Sequence, residues 1–435
     1  MALATGACSD NTFIPVEEEE TVSIGNAQSI QRSEDEAMTY AAQFLNIFPH
    51  KESRSLPDIQ IHALTNKSSR SSATADTLLY IAQYGENQGY AIISGSRELS
   101  PVLAYVEEGN FFDIENANNG GFQMYMEAAS DYVEHSMSRE SIIDKPIKPA
   151  FDDWTIRYND TIAPKLTVAW SQEYPEGYFC PNRISGCVIT AVAQILSYYE
   201  APTDLSLTYP NHPIAKVQLD WSEIKKHKTS YTSDWVDYPW AISTHMATCQ
   251  ASEEAHVALA YLCRELGHRS HATYNPRETN KGTGASMQNA QETASAIRNQ
   301  NKYEYNLTAV CEYSKARFLL DHIKKGVVLM SGFVTPTSDG HAWVADGGLK
   351  VGTVRTHVDY GANLDGSNVV TVTENLEMLV HFNWGWGGYG NGYFNPEVFN
   401  PEDAESYDFM SSGMNKDYKY NLKYIAFYKE QMTIL

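Results

Sequence analysis

The sequence predicts an α+β protein in two units, a small N-terminal one followed by a larger one. In the first 140 residues, two stretches of helical apolar periodicity flank short β-rich runs. Beyond residue 165, helical segments come first and strands cluster late in the chain. Charge also separates the units, because residues 1–150 hold 22 of the 54 acidic residues but only 9 of the 32 basic ones. A chain of 435 residues is long enough for two units with cores of their own.

Residues 1–30 are expected to lie outside both cores. They are polar, carry the acidic run Glu17 to Glu20 and show no periodicity, so we interpret them as a disordered lead-in. The small residues before Cys8 resemble the end of a bacterial lipoprotein signal that lacks its apolar stretch. A lipidated Cys8 and an ordinary exposed cysteine in a frayed terminus both fit this segment.

The small unit, residues 31–140, is predicted to be a helix, an antiparallel sheet and a second helix. Ser33 and Glu36 form a capping-box pattern ahead of apolar residues at helical spacing. Runs of β-forming residues separated by turn residues predict the sheet. The elements are expected at 33–48, 77–84, 89–94, 101–106 and 121–138.

Residues 141–165 carry three prolines and scattered charges, so they are predicted to be an exposed activation linker. The larger unit follows at 166–435. Its helices are expected near 187–200, 252–267 and 313–325, and its strands at 327–333, 341–346, 351–360, 369–373 and 379–383.

Charge and cysteine spacing exclude several classes of partner. A net charge of −22 argues against nucleic acid or an anionic membrane, since both attract clustered Lys and Arg. No apolar run of 18 or more residues is present to span a bilayer. The six cysteines form no CxxC pair and no zinc-like cluster, and phosphate-binding fingerprints are absent. We therefore predict neither a metal nor a cofactor.

One cysteine stands where a nucleophile is favoured. Cys187 follows Gly186 and falls in the first turn of a predicted helix, where unpaired amides and the helix dipole stabilise a thiolate. Cys249, Cys263 and Cys311 are expected to be packed thiols, since unpaired cysteine is among the most buried residue types.

Further side chains fit a cysteine nucleophile, which needs a base that is itself oriented. His341 opens an apolar strand 154 residues after Cys187, close to the order and separation of papain-like enzymes. Asn383 could accept the second N–H of that histidine, and Trp384 could cover the bond from water. Gln172, 15 residues before Cys187, could donate to an oxyanion, an interaction that commonly lowers a barrier by about 3 kcal/mol.

These motifs together resemble the streptopain family of papain-like bacterial cysteine peptidases. The matching segments are Trp170-Ser-Gln172, Gly186-Cys187-Val-Ile-Thr-Ala-Val-Ala-Gln194, Gly340-His341-Ala-Trp-Val and Asn383-Trp-Gly-Trp-Gly387. Residues 33–138 resemble the inhibitory prodomain of that family, so the resemblance covers nearly the whole chain. The Cys-Gly-Ser-Cys-Trp signature of papain itself is absent, and Cys180 is an extra thiol whose state the sequence leaves open.

The resemblance implies a papain-like domain whose nucleophile helix packs on an antiparallel sheet, preceded by a small α+β prodomain. It also implies that Cys187 is the nucleophile, His341 the general acid/base and Gln172 the oxyanion donor. Asn383 and Trp384 would orient and shield the histidine. Gly340, Ala285 and Ser286 would contact the substrate backbone.

The predicted function is that of a cysteine endopeptidase made as a zymogen. Its expected partners are protein or peptide substrates and its own prodomain, which acts as an intramolecular inhibitor. We expect it to be secreted or surface-anchored in a bacterium, touching a membrane only through a lipid on Cys8. Two alternatives stay open: an amidase or transglutaminase-like acyl transferase of the same fold, and a catalytically inert binding or adhesion protein.

Overall fold

The computed structural model describes most of both predicted units. The described residues are 30–47, 58–65, 76–115, 119–139, 150–228, 250–276, 282–300, 305–313, 315–333, 340–359, 369–399 and 421–429. The lead-in with Cys8 and the linker residues 141–149 lie outside them. In the described part of the chain, no helix is long and apolar enough to cross a bilayer.

The helices are α1 Glu34–Ile47, α2 Phe111–Glu115, α3 Gly120–Arg139, α4 Cys187–Tyr199, α5 Trp221–Ile224, α6 Glu253–Arg269, α7 Met287–Gln300 and α8 Ala316–Lys325. The strands are β1 Gln60–Thr65, β2 Thr77–Gln83, β3 Tyr90–Ser94, β4 Val102–Val106, β5 Ala150–Ile162, β6 Asp204–Ser206, β7 Lys216–Gln218, β8 Thr273–Tyr274, β9 Thr283–Gly284, β10 Asn306–Leu307, β11 Cys311–Glu312, β12 Gly326–Gly332, β13 His341–Asp359, β14 Val369–Asn383, β15 Gly392–Phe394 and β16 Lys423–Tyr428.

One antiparallel sheet runs through both units. Among the described residues it has twelve strands, in the order β1-β2-β3-β4-β15-β14-β13-β12-β16-β10, with β11 beside β16 and β5 beside β13. The units join where β4 pairs with β15, which places Tyr105 opposite Tyr393 and Ala104 opposite Phe394. The predicted α+β class is confirmed.

Local signals explain the first helix and the hairpin of the N-terminal unit. Ser33 N donates to a Glu36 carboxylate oxygen at 2.7 Å and Glu36 N donates to Ser33 Oγ at 3.2 Å, which is the expected capping box at the start of α1. Strands β2 and β3 pair antiparallel as predicted, and α3 covers the second predicted helix. The sequence analysis missed β1.

The predicted linker is wrong over residues 150–162. This segment is β5, which pairs with β13 from Gly348 to Asp359 rather than lying exposed and irregular. Trp154, Ile156 and Tyr158 recur at period two, a strand signal that the neighbouring prolines and charges obscured.

The C-terminal unit is built around α4. Eleven of the thirteen residues of this helix are buried, and it packs on β12 and β13 and against α6 and α7. Each of β13 and β14 joins two strands that the sequence predicted separately, and the pairing is irregular between Ala345 and Gly347. Helix α7 and strand β16 were not predicted, although β16 lies inside the sheet.

Hydrogen bonds to a buried aspartate fasten the start of the C-terminal unit to the sheet. Asp346 is fully buried beside the irregularity in β13, and its Oδ1 lies 2.6 Å from His381 Nδ1 on β14. Its Oδ2 accepts a hydrogen bond from Leu166 N at 2.8 Å, and its main-chain oxygen accepts one from Lys165 N at 3.2 Å. The chain entering the C-terminal unit is thereby held at residues 165–166.

Residues of the two units pack together in common hydrophobic clusters. Phe122 and Tyr125 of α3 are buried in the same cluster as Trp343, Trp384 and Phe394 of the C-terminal unit. The rings of Tyr125 and Phe394 meet edge to face with centroids 4.8 Å apart, a favourable aromatic geometry. The N-terminal unit is therefore docked by core packing and strand pairing together.

Candidate active site

Cys187 is delivered by a turn that requires glycine. Gly186, the residue before α4, adopts a φ of 96°, and a Cβ added there would lie 2.7 Å from the Thr283 carbonyl oxygen. Cys187 is then the first residue of α4 and is only partly buried, at the positive end of the helix dipole. This is the position that the sequence predicted for a nucleophile.

His341 lies at the start of β13 and faces Cys187. Its ring is 8% exposed and stacks on Trp343, with planes 11° apart. His341 Nε2 is 2.9 Å from the main-chain carbonyl oxygen of Trp384, which can only accept, so this nitrogen carries a proton. Nδ1 is the nitrogen left for the thiol.

The thiol and the imidazole shift each other's pKa in opposite directions. Burial alone would raise the pKa of Cys187, but the hydrogen bond and charge of His341 outweigh it and hold that pKa below the usual thiol value. Burial alone would lower the pKa of His341, but Cys187 and the Trp384 carbonyl raise it above the usual histidine value. Both shifts favour a thiolate–imidazolium pair.

The acceptor that orients the histidine differs from the expected one. Asn383 was expected to accept the second N–H of His341, but its Nδ2 donates to the Val168 carbonyl at 2.9 Å and its Oδ1 accepts from Gly385 N at 3.1 Å. The carbonyl of the next residue, Trp384, takes the histidine instead. Because every residue has a main-chain carbonyl, no sequence signal could have selected this one.

The Trp384 side chain is fully buried beside the pair. Its Nε1 donates to the Gly390 carbonyl at 3.0 Å, and its main-chain N donates to Asn391 Oδ1 at 3.1 Å. Asn383 and these bonds together hold the Trp384 carbonyl where His341 meets it.

Gln172 is held near the turn before Cys187 through its main chain. Its carbonyl oxygen accepts hydrogen bonds from Ser185 N at 2.7 Å and Ser185 Oγ at 3.0 Å, two residues before Cys187. Two side chains of α4 hold the residues that precede Gln172. Gln194 Oε1 accepts from Trp170 N at 2.9 Å, and Thr190 Oγ1 donates to the carbonyl of residue 171 at 3.2 Å.

The loop predicted to touch substrate lies beside the turn before Cys187. Thr283 Oγ1 donates to the Ile184 carbonyl at 2.7 Å. Ser286 is exposed, and its Oγ accepts from Asn289 N at 3.1 Å in the first turn of α7, while Ala285 is partly buried against the core. Gly340 packs so closely on the Phe333 ring that an added Cβ would lie 2.4 Å from it.

The other described cysteines are free thiols, and two are fully enclosed. Burial raises the pKa of Cys180 to about 12 and that of Cys263 well above its usual value. Cys180 is therefore a packed thiol rather than half of a disulfide, and Cys263 matches the expectation of a core residue. Cys311 is only partly buried, and Cys249 lies outside the described residues. The described residues contain no cluster of His, Cys, Asp and Glu that could hold a metal ion.

The N-terminus of α3 lies on the rings of His341 and Trp384. A Cβ added at Gly121 would meet His341 Cδ2 and Trp384 Cε3 at 2.5 Å each, so only the bare α-carbon of glycine fits there. Asn119 is fully buried. It accepts from Phe122 N at 3.1 Å to cap α3, and its Nδ2 donates to the Tyr389 carbonyl at 3.2 Å. Sequence reasoning located α3 but missed this contact.

Both parts of the chain match family models of known proteins. A model of the Peptidase C10 family matches residues 167–394, and a model described as Spi protease inhibitor matches residues 27–133. Streptopain of Streptococcus pyogenes is 23% identical over 403 residues, covering 86% of this chain and 87% of streptopain. The thiol protease/hemagglutinin PrtT of Porphyromonas gingivalis is 23% identical over 355 residues, covering 75% of this chain and 34% of PrtT.

Two solved structures from Prevotella intermedia are also similar. A mutant prointerpain A fragment is 20% identical with a TM-score of 0.49, covering 84% of this chain and 98% of the fragment. Active wild-type interpain A cysteine protease is 21% identical with a TM-score of 0.37, covering 61% of this chain and 94% of its own.

Replacing His341 with Gln should move the alkylation of Cys187 to higher pH. In the native pair the imidazolium lowers the pKa of the Cys187 thiol, so Cys187 is a thiolate at pH values where an ordinary thiol is protonated. Without the imidazolium, Cys187 is protonated at those pH values. The iodoacetamide rate at about pH 6 should fall at least tenfold in H341Q. The C187A chain measures the background from other thiols, and an unchanged pH profile in H341Q would contradict the pair.

Proposed function

Since the chain belongs to the Peptidase C10 family, the streptopain family of cysteine peptidases, we propose that Cys187 and His341 carry its hydrolysis of peptide bonds. The single observation behind this assignment is geometric: Cys187 begins α4, and beside it lies His341, whose Nε2 is held by the Trp384 carbonyl at 2.9 Å, an arrangement that favours a thiolate beside an imidazolium. The substrates are proteins or peptides.

The reaction follows from the positions of these groups. The Cys187 thiolate attacks the peptide carbonyl, and the Gln172 amide with the main-chain N–H of Cys187 stabilises the oxyanion. His341 gives its Nδ1 proton to the leaving amine, which leaves a thioester on Cys187. His341 then takes a proton from water, the hydroxide attacks the thioester, and the acid product departs as the thiolate re-forms.

Asn383, Trp384, Gly340, Ala285 and Ser286 act around this reaction. Asn383 is a positioning residue that holds the Trp384 carbonyl against His341 Nε2, and the Trp384 ring keeps water from that bond. Gly340 and the loop with Ala285 and Ser286 border the substrate cleft, because they lie beside His341 and the turn before Cys187 respectively.

The N-terminal unit, matched by the Spi inhibitor model, keeps the enzyme latent by covering an assembled site. Gly121 packs on the rings of His341 and Trp384 while Cys187 and His341 are already close enough to shift each other's pKa. Substrate is therefore excluded by occlusion of the histidine face, and activation requires removal of residues up to the linker. We assign 31–140 to the inhibitory prodomain and 166–435 to the peptidase.

Activation cleavage falls in the predicted linker but outside β5. A strand that pairs with β13 from Ala150 to Ile162 is a poor protease substrate, whereas residues 141–149 precede it. N-terminal sequencing of incubated protein locates the cut, and a stable, fully active 435-residue chain would contradict latency. The protein is also proposed to be secreted and anchored to the cell surface by a lipid on Cys8. Mass analysis of the exported protein tests for this lipid.

Replacing Cys187 with Ala should abolish both proteolysis and self-processing, because the thiolate is the attacking group. The loss should be at least a thousandfold in peptide hydrolysis, and the full-length chain should persist on incubation. Cys311→Ala is the matched control, since this thiol is also partly accessible but lies outside the site. Wild-type cleavage by C187A would sink the assignment.

Replacing Gly121 with Ala should weaken latency, because its methyl group would lie 2.5 Å from two buried rings and α3 could not seat as it does. The uncleaved variant should react with a peptidyl chloromethyl ketone at least tenfold faster than uncleaved wild type, while the matured enzymes should be equal. Gly120→Ala is the matched control, since its Cβ would meet His341 Nδ1 only at 3.9 Å. Equal labelling of all three uncleaved chains would refute occlusion by α3.

A partly buried carboxyl makes prodomain docking depend on pH. Glu377 of β14 lines a cavity with Phe44, Ser100 and Val102 of the N-terminal unit. Burial raises the pKa of Glu377 to about 7 despite a hydrogen bond from Ser100, and the nearby Glu397 raises it further. A raised pKa favours the docked state while the group is protonated, so docking is strongest below about pH 4.5 and weakens as pH rises through 7.

Replacing Glu377 with Gln should remove this pH dependence. In the C187A background, amide protection of α3 should be similar with and without the E377Q substitution near pH 5. Near pH 8 it should be lower in the chain that keeps Glu377, by about tenfold or more, because the carboxyl is then ionised. Comparing the two chains at one pH cancels the intrinsic pH effect on exchange. Parallel protection curves would exclude Glu377 as the source.

A further inference from the structure

A buried polar array lies behind residues 170–172, and the proposed reaction does not use it. Glu176 and His227 are fully buried, and His256 is 2% exposed. His227 Nε2 lies 3.6 Å from Glu176 Oε1, and His227 Nδ1 lies 3.3 Å from His256 Nε2. Contacts at both ring nitrogens fix the orientation of the His227 imidazole. Burying three ionisable groups costs free energy, so the array calls for a physical reason.

The array brings together three separate parts of the C-terminal unit. Glu176 lies in the turn that begins just after Gln172, His227 follows α5, and His256 is in the first turn of α6. The rings of His227 and His256 meet at 88° with centroids 4.9 Å apart. The His227 ring is thus held by groups that do not depend on the catalytic pair.

The main chain at His227 in turn holds the residues before Gln172. Trp170 Nε1 donates to the His227 carbonyl at 2.5 Å, and Ala169 N donates to the Lys228 carbonyl. The rings of Trp170 and His227 stack with planes 25° apart. Movement of His227 would therefore be passed to Trp170, two residues before Gln172.

We propose that Glu176, His227 and His256 are positioning residues that hold Gln172 in place for the oxyanion formed at Cys187. This inference rests on the proposed role of Gln172. The array touches no reacting atom and acts through the Trp170 segment. An oxyanion donor works only within about 2.7–3.1 Å of the oxygen, so a small displacement of the Gln172 amide lowers the rate without weakening substrate binding.

The test uses full chains matured by incubation, or in trans by wild type where a variant matures slowly. His256→Phe keeps the ring shape but leaves His227 Nδ1 without its partner, whereas His256→Gln restores a hydrogen-bonding group. In H256F, kcat for a fluorogenic peptide amide should fall about tenfold with KM within twofold. Affinity for a peptide aldehyde, whose hemithioacetal oxygen needs the same donor, should fall in parallel. H256Q should recover most of both.

Alkylation of Cys187 by iodoacetamide separates this role from general damage, because that reaction forms no oxyanion. The alkylation rate should be unchanged in H256F and in Glu176→Gln. Like H256F, Glu176→Gln should bind the peptide aldehyde more weakly than wild type. His268→Phe, at the far end of α6, is the matched control and should alter neither readout. A parallel fall in alkylation, or wild-type aldehyde affinity in both H256F and E176Q, would overturn the proposal.

A double variant shows whether the array acts through Gln172. Gln172→Ala should lower kcat and aldehyde affinity by about 100-fold or more, and adding H256F should lower them little further. Additive losses would overturn the positioning role. If Q172A itself leaves aldehyde affinity unchanged, the role proposed for Gln172 fails, an outcome distinct from failure of the array alone.

Discussion

The arrangement depends on how the imidazole of His341 is held. The Trp384 carbonyl fixes Nε2 as the protonated nitrogen, which leaves Nδ1 for Cys187 and favours the charged pair. The bare α-carbon of Gly121 lies against the same ring. In the proposed latent state, the contacts that assemble the chemistry and the contact that blocks it meet on one side chain, so the site is complete and covered at once.

The latency that we propose would arise from core packing between the two units rather than from a surface contact. The N-terminal unit contributes four strands to the common sheet and the aromatic residues of α3 to a cluster that contains Trp343 and Trp384. Apolar burial stabilises docking without depending strongly on pH, whereas we propose that the interface carboxyl of Glu377 makes part of the docking pH-dependent. Proteolysis converts this packed interface into one that can separate, because its chain connection is lost.

Local patterns were enough to predict α1, α3, α4 and the placement of Cys187, since caps, apolar periodicity and a glycine act within a few residues. The strand at 150–162 was missed because its period-two pattern is interrupted by charges that pairing with β13 tolerates. The hydrogen bond that orients His341 could not be predicted from the sequence, because its acceptor is a main-chain carbonyl. The array of Glu176, His227 and His256 could not be predicted from residue spacing, because the three residues come from separate segments that meet only in the folded chain.

The claim of a complete but covered site is tested most directly by labelling the uncleaved chain with probes of two sizes. Iodoacetamide should alkylate Cys187 in the uncleaved and matured chains with similar low-pH reactivity, because the pair with His341 exists in both. A peptidyl chloromethyl ketone should label only the matured chain. Equal peptidyl labelling of the uncleaved chain, or an ordinary thiol pH profile before cleavage, would contradict the account.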